Sequence, residues 1–477
     1  MSAPRCYLDH AATSPLRPEA LAAMIACWGG EARPDALGGL TVGNPASAHA
    51  EGRFARRLVM EARARVAALV GARAEDVIFT SGATEASNLA VRGAAEARRV
   101  GGRLVASTSI EHAATRKAIE RLSVEGWQVR LLAVDATGRV RADALEAPFA
   151  HGTAVVSLIA GHNELGTRQP LAELAAAAHA VGALLHLDAV QAIAYEDFAD
   201  VDWDLLSISA HKLGGPAGIG ALIRRDDVGL SPLLVGGTQE AGLRPGTLPV
   251  ALIAGFGAAC EVVLADRARA AGSHQARRDR LANALRAGVP ALQPIGAWAS
   301  RPDQALPHVA SFLIAGVAGD EIVHALDAAG VAAASASACL GGTRSPTLDA
   351  LGVADDMGML RLSLGWTTDD ATIDDAAPRV VAALQALLAM DPFERRRGPF
   401  EARAEIAGVT LGPAQWQAAE AVYRFWRAEG ILPGARRISR LLPSDVQMDA
   451  LFPRGLPTLA AWLGLPVPRG GCRAMLW

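Results

Sequence analysis

The chain has 477 residues, of which 51% are hydrophobic and 20% charged, and its formal net charge is -3. This length can bury more than one core, and the small net charge does not favour a polyanionic partner. The first residues lack the pattern of a secretory signal, and no uncharged apolar run is long enough to cross a bilayer. The five cysteines are scattered and contain no CxxC pair, which fits a reducing compartment. We therefore expect a soluble cytoplasmic protein with no membrane partner and no metal site.

Short apolar runs alternate with Ala-rich helical stretches through the first half of the chain. The runs cover residues 77–80, 102–107, 154–161, 183–190, 205–210 and 218–225. Such alternation predicts an α/β fold with a mainly parallel sheet and helices on both faces. In these folds, ligands bind at the carboxyl ends of the strands. We therefore expect the polar segments "SGAT", "EH", "HN", "DAVQ" and "SAHK", which follow five of the runs, to form one pocket.

Three domains are expected along the chain. The large α/β domain would cover about 15–255. A smaller α+β domain would run from about 256 to 390 and include the N-terminal segment. The stretch 391–400, rich in charge, Pro and Gly, predicts a linker. Aromatic residues at helical spacing beyond it indicate a small helical domain over 401–477.

Lys212 is the first candidate functional residue. Of 46 Lys and Arg residues, only Lys117 and Lys212 are lysines, and an amine can form a Schiff base whereas a guanidinium cannot. Lys212 follows an apolar run in "LLSISAHKLGG", beside Ser209 and His211, which can bind a phosphate. This pattern suits a cofactor that carries an aldehyde and a phosphate. By itself, Lys212 could equally be an ordinary surface lysine.

Three further segments favour pyridoxal phosphate. Asp188 ends an apolar run in "HLDAVQ", where a buried carboxylate needs a partner such as a pyridinium N–H. The alternative is a capping aspartate. The segment "TSGATEASN" places Ala83 and Thr84 between a strand and a helix, where backbone N–H groups bind phosphate. His112 could stack on the cofactor ring, although a structural histidine is the alternative.

Together these segments resemble the class V aminotransferases of fold type I, and specifically the cysteine desulfurases of the NifS/IscS type. The resemblance runs from residue 7 to about residue 390. It rests on "YLDHAATSPL", "FTSGATEASNLA", "HNELGTRQP", "HLDAVQA", "SAHKLGGPAGIGAL", "GGTQEAGLRPGT", "SACLGG" and "LRLSLG". It implies a pyridoxal 5'-phosphate enzyme that converts L-cysteine to L-alanine, and a homodimer.

The resemblance also implies roles for individual residues. Lys212 would form an imine with the cofactor, Asp188 would contact its pyridine nitrogen, and Gln191 would contact its ring oxygen. His112 would stack on the ring. The phosphate and its loop would involve Ala83, Thr84, Ser209 and His211, and Thr247 would contact the phosphate bound by the neighbouring subunit. Asn163, which would also touch the cofactor, and Arg361 would hold the substrate carboxylate. Arginine suits that role because its fork is bidentate.

Cys339, in "SASACLGGT", is implied as the nucleophile. Its thiolate would attack the substrate sulfur and keep it as a persulfide, whereas a small buried apolar residue is the alternative. The segment from Cys339 to Arg361 is shorter than in long-loop desulfurases, so the acceptors that it serves stay open. The other departures from the family pattern are His162 in place of Asn, Thr238 in a Gly run, Ala241 in place of Arg, and Pro245 in place of Ser.

The tail, over about 408–472, resembles the DsrC/TusE sulfur carriers. It contains a Trp-bearing helix, "LFPRG" and then "GLPVPRGGC" in the order of those carriers. Cys472 matches their sulfur-accepting cysteine. Trp462 occupies the place of their second cysteine, and "RAMLW" follows where carriers nearly end. The resemblance implies that Cys472 receives sulfur from Cys339 by thiol exchange and passes it to acceptor proteins.

Other interpretations stay open at this point. The enzyme could be another class V lyase, such as a selenocysteine lyase. Arg436, Arg437 and Arg440 on one short helix resemble a helix-turn-helix, so the tail could dock tRNA or a protein. Direct binding of nucleic acid is not expected, because the net charge offers no basic footprint. A purely structural tail, with Cys472 inert, is a further alternative, and Cys6, Cys27 and Cys260 are interpreted as structural.

Overall fold

A computed structural model describes most of the chain. The described residues are 4–28, 43–145, 149, 152–225, 228–335, 344–442 and 448–465. Cys339 and Cys472 lie outside them. None of the described helices is long and apolar enough to cross a membrane.

The described residues form twelve strands in three sheets. The strands are β1 (Cys6–Tyr7), β2 (Val77–Thr80), β3 (Leu104–Thr108), β4 (Gln128–Leu132), β5 (Thr153–Ile159), β6 (Leu184–Asp188), β7 (Leu205–Ser209), β8 (Gly220–Arg224), β9 (Gln293–Ile295), β10 (Val309–Ala315), β11 (Val331–Ala332) and β12 (Met357–Ser363). The largest sheet has the order β2-β8-β7-β6-β5-β3-β4. Strand β8 is antiparallel to both neighbours and the other pairs are parallel. The predicted mainly parallel α/β sheet is confirmed, with one reversed strand.

The described residues form fifteen α-helices. They are α1 (Pro18–Trp28), α2 (Ala50–Val70), α3 (Ala83–Asn88), α4 (Ala94–Ala97), α5 (Ala113–Val124), α6 (Leu171–Ala180), α7 (Val250–Gly288), α8 (Gly319–Ala328), α9 (Pro346–Ala350), α10 (Asp370–Ala389), α11 (Pro392–Ile406), α12 (Pro413–Glu429), α13 (Ala435–Leu441), α14 (Met448–Leu451) and α15 (Leu456–Trp462). A π-helical turn, Leu89–Gly93, joins α3 to α4.

Both faces of the large sheet are covered. In β2, Val77 and Phe79 point into a core that includes residues of α1, α2, α6 and α7. Ile78, between them, joins a second core that includes residues of α3 and α5. Successive side chains of a strand point to opposite faces. A strand buried on both sides therefore reads as a continuous apolar run, as "VIFT" does.

The smaller unit, which was predicted as an α+β domain, is built around the antiparallel sheet β12-β10-β9 and the parallel pair β1-β11. Its core includes Cys6 and Leu8 from the N-terminal segment. Helix α7 spans both units, because Phe256 lies in the large core and Leu285 in the smaller one. The boundary predicted near residue 255 thus falls inside one continuous helix.

The stretch 391–400, predicted as an irregular linker, instead begins helix α11. The Asp391 side chain accepts a hydrogen bond from the Phe393 N–H at 2.8 Å, which caps the helix, and Pro392 suits its first position. Phe393 and Phe400 are buried with apolar residues of α12 and α15. The prediction of a linker was therefore wrong. The Pro and Gly residues of this stretch lie within a helix, which is stabilised because Phe393 and Phe400 pack against later helices.

Helix α11 also docks the C-terminal helices onto the smaller unit. Arg396 Nε lies 2.9 Å from Glu321 Oε1 on α8, and Arg403 pairs with Asp320. Arg395 donates to the Gly316 carbonyl at 3.0 Å. Burial raises the pKa of Glu321, and the Arg396 charge opposes that shift. A buried carboxylate paired with a guanidinium indicates a fixed contact between α8 and α11.

Candidate active site

The polar segments that follow five strands meet at one edge of the large sheet. Strands β3, β5, β6 and β7 are parallel, and β2 points the same way because both it and β7 are antiparallel to β8. Their carboxyl ends therefore share an edge. Asp188 and His112 are near enough there to shift each other's pKa, and the Lys212 charge acts on both. The predicted convergence of the strand ends on one edge is confirmed, whereas a single pocket formed by all five segments stays a prediction.

Lys212 ends a short 3-10 turn that follows β7. Its Nζ donates to the carbonyl oxygens of Ala11 and Ala12, each at 2.5 Å. The Ala11 carbonyl also accepts from Gln191 Nε2 at 2.8 Å. These acceptors are neutral, and through them the N-terminal segment orients the amine. Because Gln191 and Lys212 donate to the same Ala11 carbonyl, this segment also links the two side chains.

Asp188 and His112 provide a buried acid and an imidazole. Asp188 is 4% exposed, and its Oδ1 accepts from the Val190 N–H at 3.2 Å. Burial raises its pKa, and His112, that N–H and Lys212 oppose the shift. His112 caps α5 by accepting from the Ala114 N–H at Nδ1. The surrounding protein and the Lys212 charge lower the His112 pKa, while Asp188 opposes this, which favours a neutral ring.

The loop before α3 lies opposite the end of β7. Gly82 has φ 150° and ψ 176°, a conformation that favours glycine. A Cβ atom there would lie 3.9 Å from Ser209 Oγ, so loop and hydroxyl face one another. Ala83 and Thr84 follow at the start of the helix, where backbone N–H groups favour an anion. His211 Nδ1 lies 3.1 Å from Thr13 Oγ1.

The segment that carries Thr247 approaches the same loop. Arg244 Nε donates to Glu85 Oε1 at 3.1 Å, and Glu85 Oε2 accepts from the Ser81 N–H at 2.6 Å. Thr247 itself is exposed. The structure therefore brings "GLRPGT" to the phosphate loop and leaves the threonine on the surface.

Arg361 and Asn163 lie together beside a residue that the sequence reasoning had not assigned. Arg361 Nη1 donates to the Asn163 carbonyl at 3.1 Å, and its Nη2 donates to Asp9 Oδ1 at 2.8 Å. Within the described part of the chain, the buried Arg361 Nε has no hydrogen-bond partner. The guanidinium is thus held in place with donor capacity remaining.

The described residues on either side of 336–343, the segment that contains Cys339, lie next to this arginine. On one side, Ala334 and Arg361 exchange two backbone hydrogen bonds, at 3.1 and 2.7 Å. On the other side, Ser345 Oγ donates to Glu164 Oε2 at 2.7 Å. Glu164 follows Asn163 directly in the chain. The described residues at both ends of this segment therefore lie at the end of the site that contains Arg361.

His162, which stands where the family pattern has Asn, has a structural role. Its Nε2 donates to the Ile110 carbonyl at 2.9 Å, and its Nδ1 accepts from the Glu164 and Leu165 N–H groups at 3.0 and 3.1 Å. Burial lowers its pKa to about 4. The neutral ring thus joins two loops and fixes the turn that carries Asn163.

Sequence reasoning missed three residues of the site. Asp9 and Glu111 lie within motifs that were recognised, but no role was assigned to them. Glu111 is buried and accepts from Thr108 Oγ1 at 2.6 Å, and burial, with a smaller contribution from the Asp188 charge, raises its pKa to about 8. His308 lies 3.3 Å from Gln191 Oε1. No local pattern marks His308, because its partner is remote in sequence.

These groups fit an aldehyde cofactor with a phosphate and a ring nitrogen. The edge of the sheet offers an amine, a buried carboxylate short of partners, an imidazole, hydroxyl groups and a helix N-terminus behind a glycine. A buried carboxylate is stable beside a protonated ring nitrogen. The amine can bond an aldehyde, and the glycine loop leaves room for a phosphate.

Comparison with known proteins points the same way. Residues 6–375 match the family model described as aminotransferase class-V. The chain is 38% identical over 382 residues to an IscS-like cysteine desulfurase of Mycobacterium tuberculosis, which covers 78% of this chain and 94% of that protein. It is 38% identical over 400 residues to a cysteine desulfurase of Cereibacter sphaeroides, covering 82% and 98%. A solved NifS-like protein superposes with a TM-score of 0.72 at 30% identity, covering 80% of this chain and 100% of that one.

Proposed function

The chain belongs to the class V aminotransferase family and is a pyridoxal-phosphate-dependent cysteine desulfurase, and we propose that it passes sulfur from L-cysteine to Cys339 and then to Cys472. The observation that carries the first transfer is the position of the described residues that flank 336–343. They are held beside Arg361 and Glu164, at the end of the site where the substrate carboxylate would bind.

The reaction balances without an external oxidant. The Cys339 thiolate bonds to the substrate sulfur while the carbon–sulfur bond breaks. The electron pair of that bond stays with the carbon, which takes up a proton, so L-alanine leaves and a persulfide remains. The cofactor, when bound, supplies an electron sink for the substrate carbons.

The chain's own residues would bind and orient the cofactor. Lys212 is the covalent anchor, and Asp188 accepts from the ring N–H. His112 presents a neutral ring for stacking, and Gln191 donates toward the ring oxygen. The remaining contacts are with the phosphate, at Ala83, Thr84, Ser209 and His211.

The substrate carboxylate would be held by Arg361 and Asn163. Asp9 already pairs with the Arg361 guanidinium and keeps its plane fixed, so the substrate meets a donor that needs little reorganisation. A charge-assisted bond from a fixed guanidinium is strong and directional. The same arginine exchanges backbone hydrogen bonds with Ala334, which brings the Cys339 segment and the carboxylate site to one strand.

The C-terminal helices would act as a sulfur carrier. Helix α11 fixes them on α8, in the smaller unit that also contains Arg361. Arg403 on α11 donates to the Trp462 carbonyl, so α15 ends at a defined place. Leu465 is the last described residue, and Cys472 follows seven residues later (472 − 465). Seven extended residues span at most about 25 Å, and tethering gives an effective concentration on the order of millimolar.

A homodimer and separate acceptor proteins complete the proposal. Thr247 is exposed in the single chain, and Arg244, three residues before it, is paired at the phosphate loop. The exposure of Thr247 supports the proposal that it would contact the phosphate bound by a neighbouring subunit. Downstream acceptors would read the persulfide on Cys472, within one chain or between the two.

The test is mass spectrometry of intact protein and peptides after brief exposure of the holoenzyme to L-cysteine. Wild type, Cys339→Ala and Cys472→Ala are compared, with Cys27→Ala as control because Cys27 is buried in α1. We expect sulfur on both Cys339 and Cys472 in wild type, on neither in Cys339→Ala, and on Cys339 alone in Cys472→Ala. The control should match wild type.

Other outcomes separate the alternatives. Sulfur on Cys339 but never on Cys472 would refute the carrier and leave a docking tail for tRNA or protein. Alanine formation that survives Cys339→Ala without any persulfide would indicate a lyase that needs no loop thiolate, as in a selenocysteine lyase. Absence of sulfur on both cysteines, with no alanine formed, would refute the persulfide route itself.

A further inference from the structure

A polar cavity lies between helix α7 and the segment that leads into α1, and it reaches the carboxyl edge of the sheet at Lys212. It is lined by Arg17, Arg269, Arg277, Ser14, Ser273 and Trp366, among others. Of the residues assigned to the cofactor or the substrate, only Lys212 also lines it. The cavity therefore adjoins the cofactor site at Lys212 and is otherwise built from residues that have no assigned role there.

Arg17 is fixed at this cavity by contacts that leave its terminal nitrogens uncommitted. Its Nε donates to the Leu213 carbonyl at 2.9 Å, and its guanidinium carbon lies 5.2 Å from the centre of the Trp366 ring. Gly214 makes room for the stem, because a Cβ atom there would come within 2.6 Å of the Arg17 Cγ. A guanidinium fixed in this way loses little freedom when it binds a ligand.

Arg17 also lacks a counter-ion among the described residues. No carboxylate there lies within 4.0 Å of its nitrogens, although Glu19 and Asp266 act on it from farther away. Burial lowers its pKa, which means that the surrounding protein disfavours the unpaired charge. A partly buried cation is costly when unpaired. An anion in the cavity would remove that cost.

The opposite wall is one face of α7. Residues 266, 269, 273 and 277 repeat at three- and four-residue spacing, so they share a face. Arg269 pairs with Asp266 at 2.7 Å, and Arg277 pairs with Asp370 at 3.1 Å. Arg269 and Arg277 are therefore each paired with a carboxylate, whereas Arg17 is not. Ser14 and Ser273 contribute hydroxyl groups to the lining.

We propose that this cavity is a binding site for a small oxygen anion, held by the Arg17 fork and supported by Arg277 and the hydroxyls. Carboxylates and inorganic oxyanions share this chemistry, because each offers two oxygens to the two terminal nitrogens of a guanidinium.

The test is calorimetric titration of the holoenzyme, in which the cofactor already occupies the phosphate loop. Sulfate, inorganic phosphate and acetate are titrated separately, with chloride used to hold the ionic strength constant. We expect saturable binding of at least one anion to wild type. Binding of sulfate or phosphate alone would assign an inorganic oxyanion, and binding of acetate alone would assign a carboxylate.

Three variants decide whether the binding belongs to this cavity. Arg17→Gln should weaken it at least tenfold, and Arg277→Gln should weaken it less. Arg427→Gln, at an exposed position on α12, should leave it unchanged. No saturable binding to wild type, or equal affinity in Arg17→Gln and wild type, would overturn the proposal. If Arg17→Gln does not fold, Arg17→Lys decides, because it keeps the charge and loses the fork.

Discussion

His308 donates from Nε2 to Gln191 Oε1 at 3.3 Å, and this bond fixes which way the Gln191 amide faces. Gln191 Nε2 donates to the Ala11 carbonyl, the same carbonyl that accepts from Lys212. The His308 ring also stacks on Tyr195 at 4.5 Å between centroids. One buried histidine therefore orients an amide that shares an acceptor with Lys212.

Replacing His308 with Leu should disturb the cofactor through Gln191. The variant removes one hydrogen bond to a buried amide, a loss of about 1 kcal/mol, or roughly fivefold in cofactor affinity. We also expect a shift in the visible absorption of the bound cofactor, because Gln191 would no longer be held. Absorption spectra and cofactor titrations measure both. His49→Gln, at an exposed position, is the control. Unchanged spectra and affinity in His308→Leu would show that the contact positions nothing.

Arg361→Lys should raise KM for L-cysteine about tenfold while the holoenzyme spectrum stays unchanged. Lysine keeps the positive charge but loses the fork that contacts both Asp9 and the Asn163 carbonyl. Tenfold corresponds to about 1.4 kcal/mol of binding energy. Steady-state kinetics on the holoenzyme supply the measurement, and Arg427→Lys is the matched control. If KM does not change, Arg361 does not hold the substrate carboxylate.

The Glu111 carboxyl should make the protein less stable as pH rises. Burial raises its folded-state pKa to about 8, above the ordinary value near 4.3. Between these values the folded state binds more protons than the unfolded one, so stability falls as pH increases. Glu111→Gln removes this loss. The variant should therefore gain stability relative to wild type, by about 1–4 kcal/mol, between pH 4.5 and 8.

Urea unfolding of wild type and Glu111→Gln across that pH range measures the difference. Glu120→Gln is the control, since Glu120 is an exposed residue of α5. A stability difference that does not vary with pH would mean that Glu111 titrates normally.

Phe400→Ala should unfold the C-terminal helices selectively. Phe400 is fully buried and packs against Trp416, Phe452 and Trp462 at 5.2, 6.1 and 5.8 Å between ring centroids. Truncating such a residue costs about 3–5 kcal/mol. Hydrogen exchange should rise in α12 to α15 and stay unchanged in the large sheet.

Ile406→Ala, at an exposed position at the end of α11, is the matched control and should change neither region. Equal acceleration of exchange in the sheet would contradict the prediction, because it would mean that the two regions unfold together. The same variant, assayed with L-cysteine, should still place sulfur on Cys339.

Local signals were sufficient for much of the fold and the site. Lys212 and Asp188 each follow a buried apolar run, and the parallel order of those runs brings strand ends to one edge. The glycine before Ala83 marked the phosphate loop because few other residues adopt its conformation. These features depend on neighbours in sequence, so the sequence alone could predict them.

Tertiary structure decided the rest. Asp9 meets Arg361 across 352 positions, and Gln191 meets His308 across 117; no periodicity reports such pairs. The segment 391–400 contains the Pro and Gly of a linker, yet Phe393 and Phe400 make it a helix because distant apolar residues bury them. Composition and strand order determined where the chemistry would lie. Which side chains hold each catalytic group depended on long-range packing, because burial and hydrogen bonding are settled only when the elements come together.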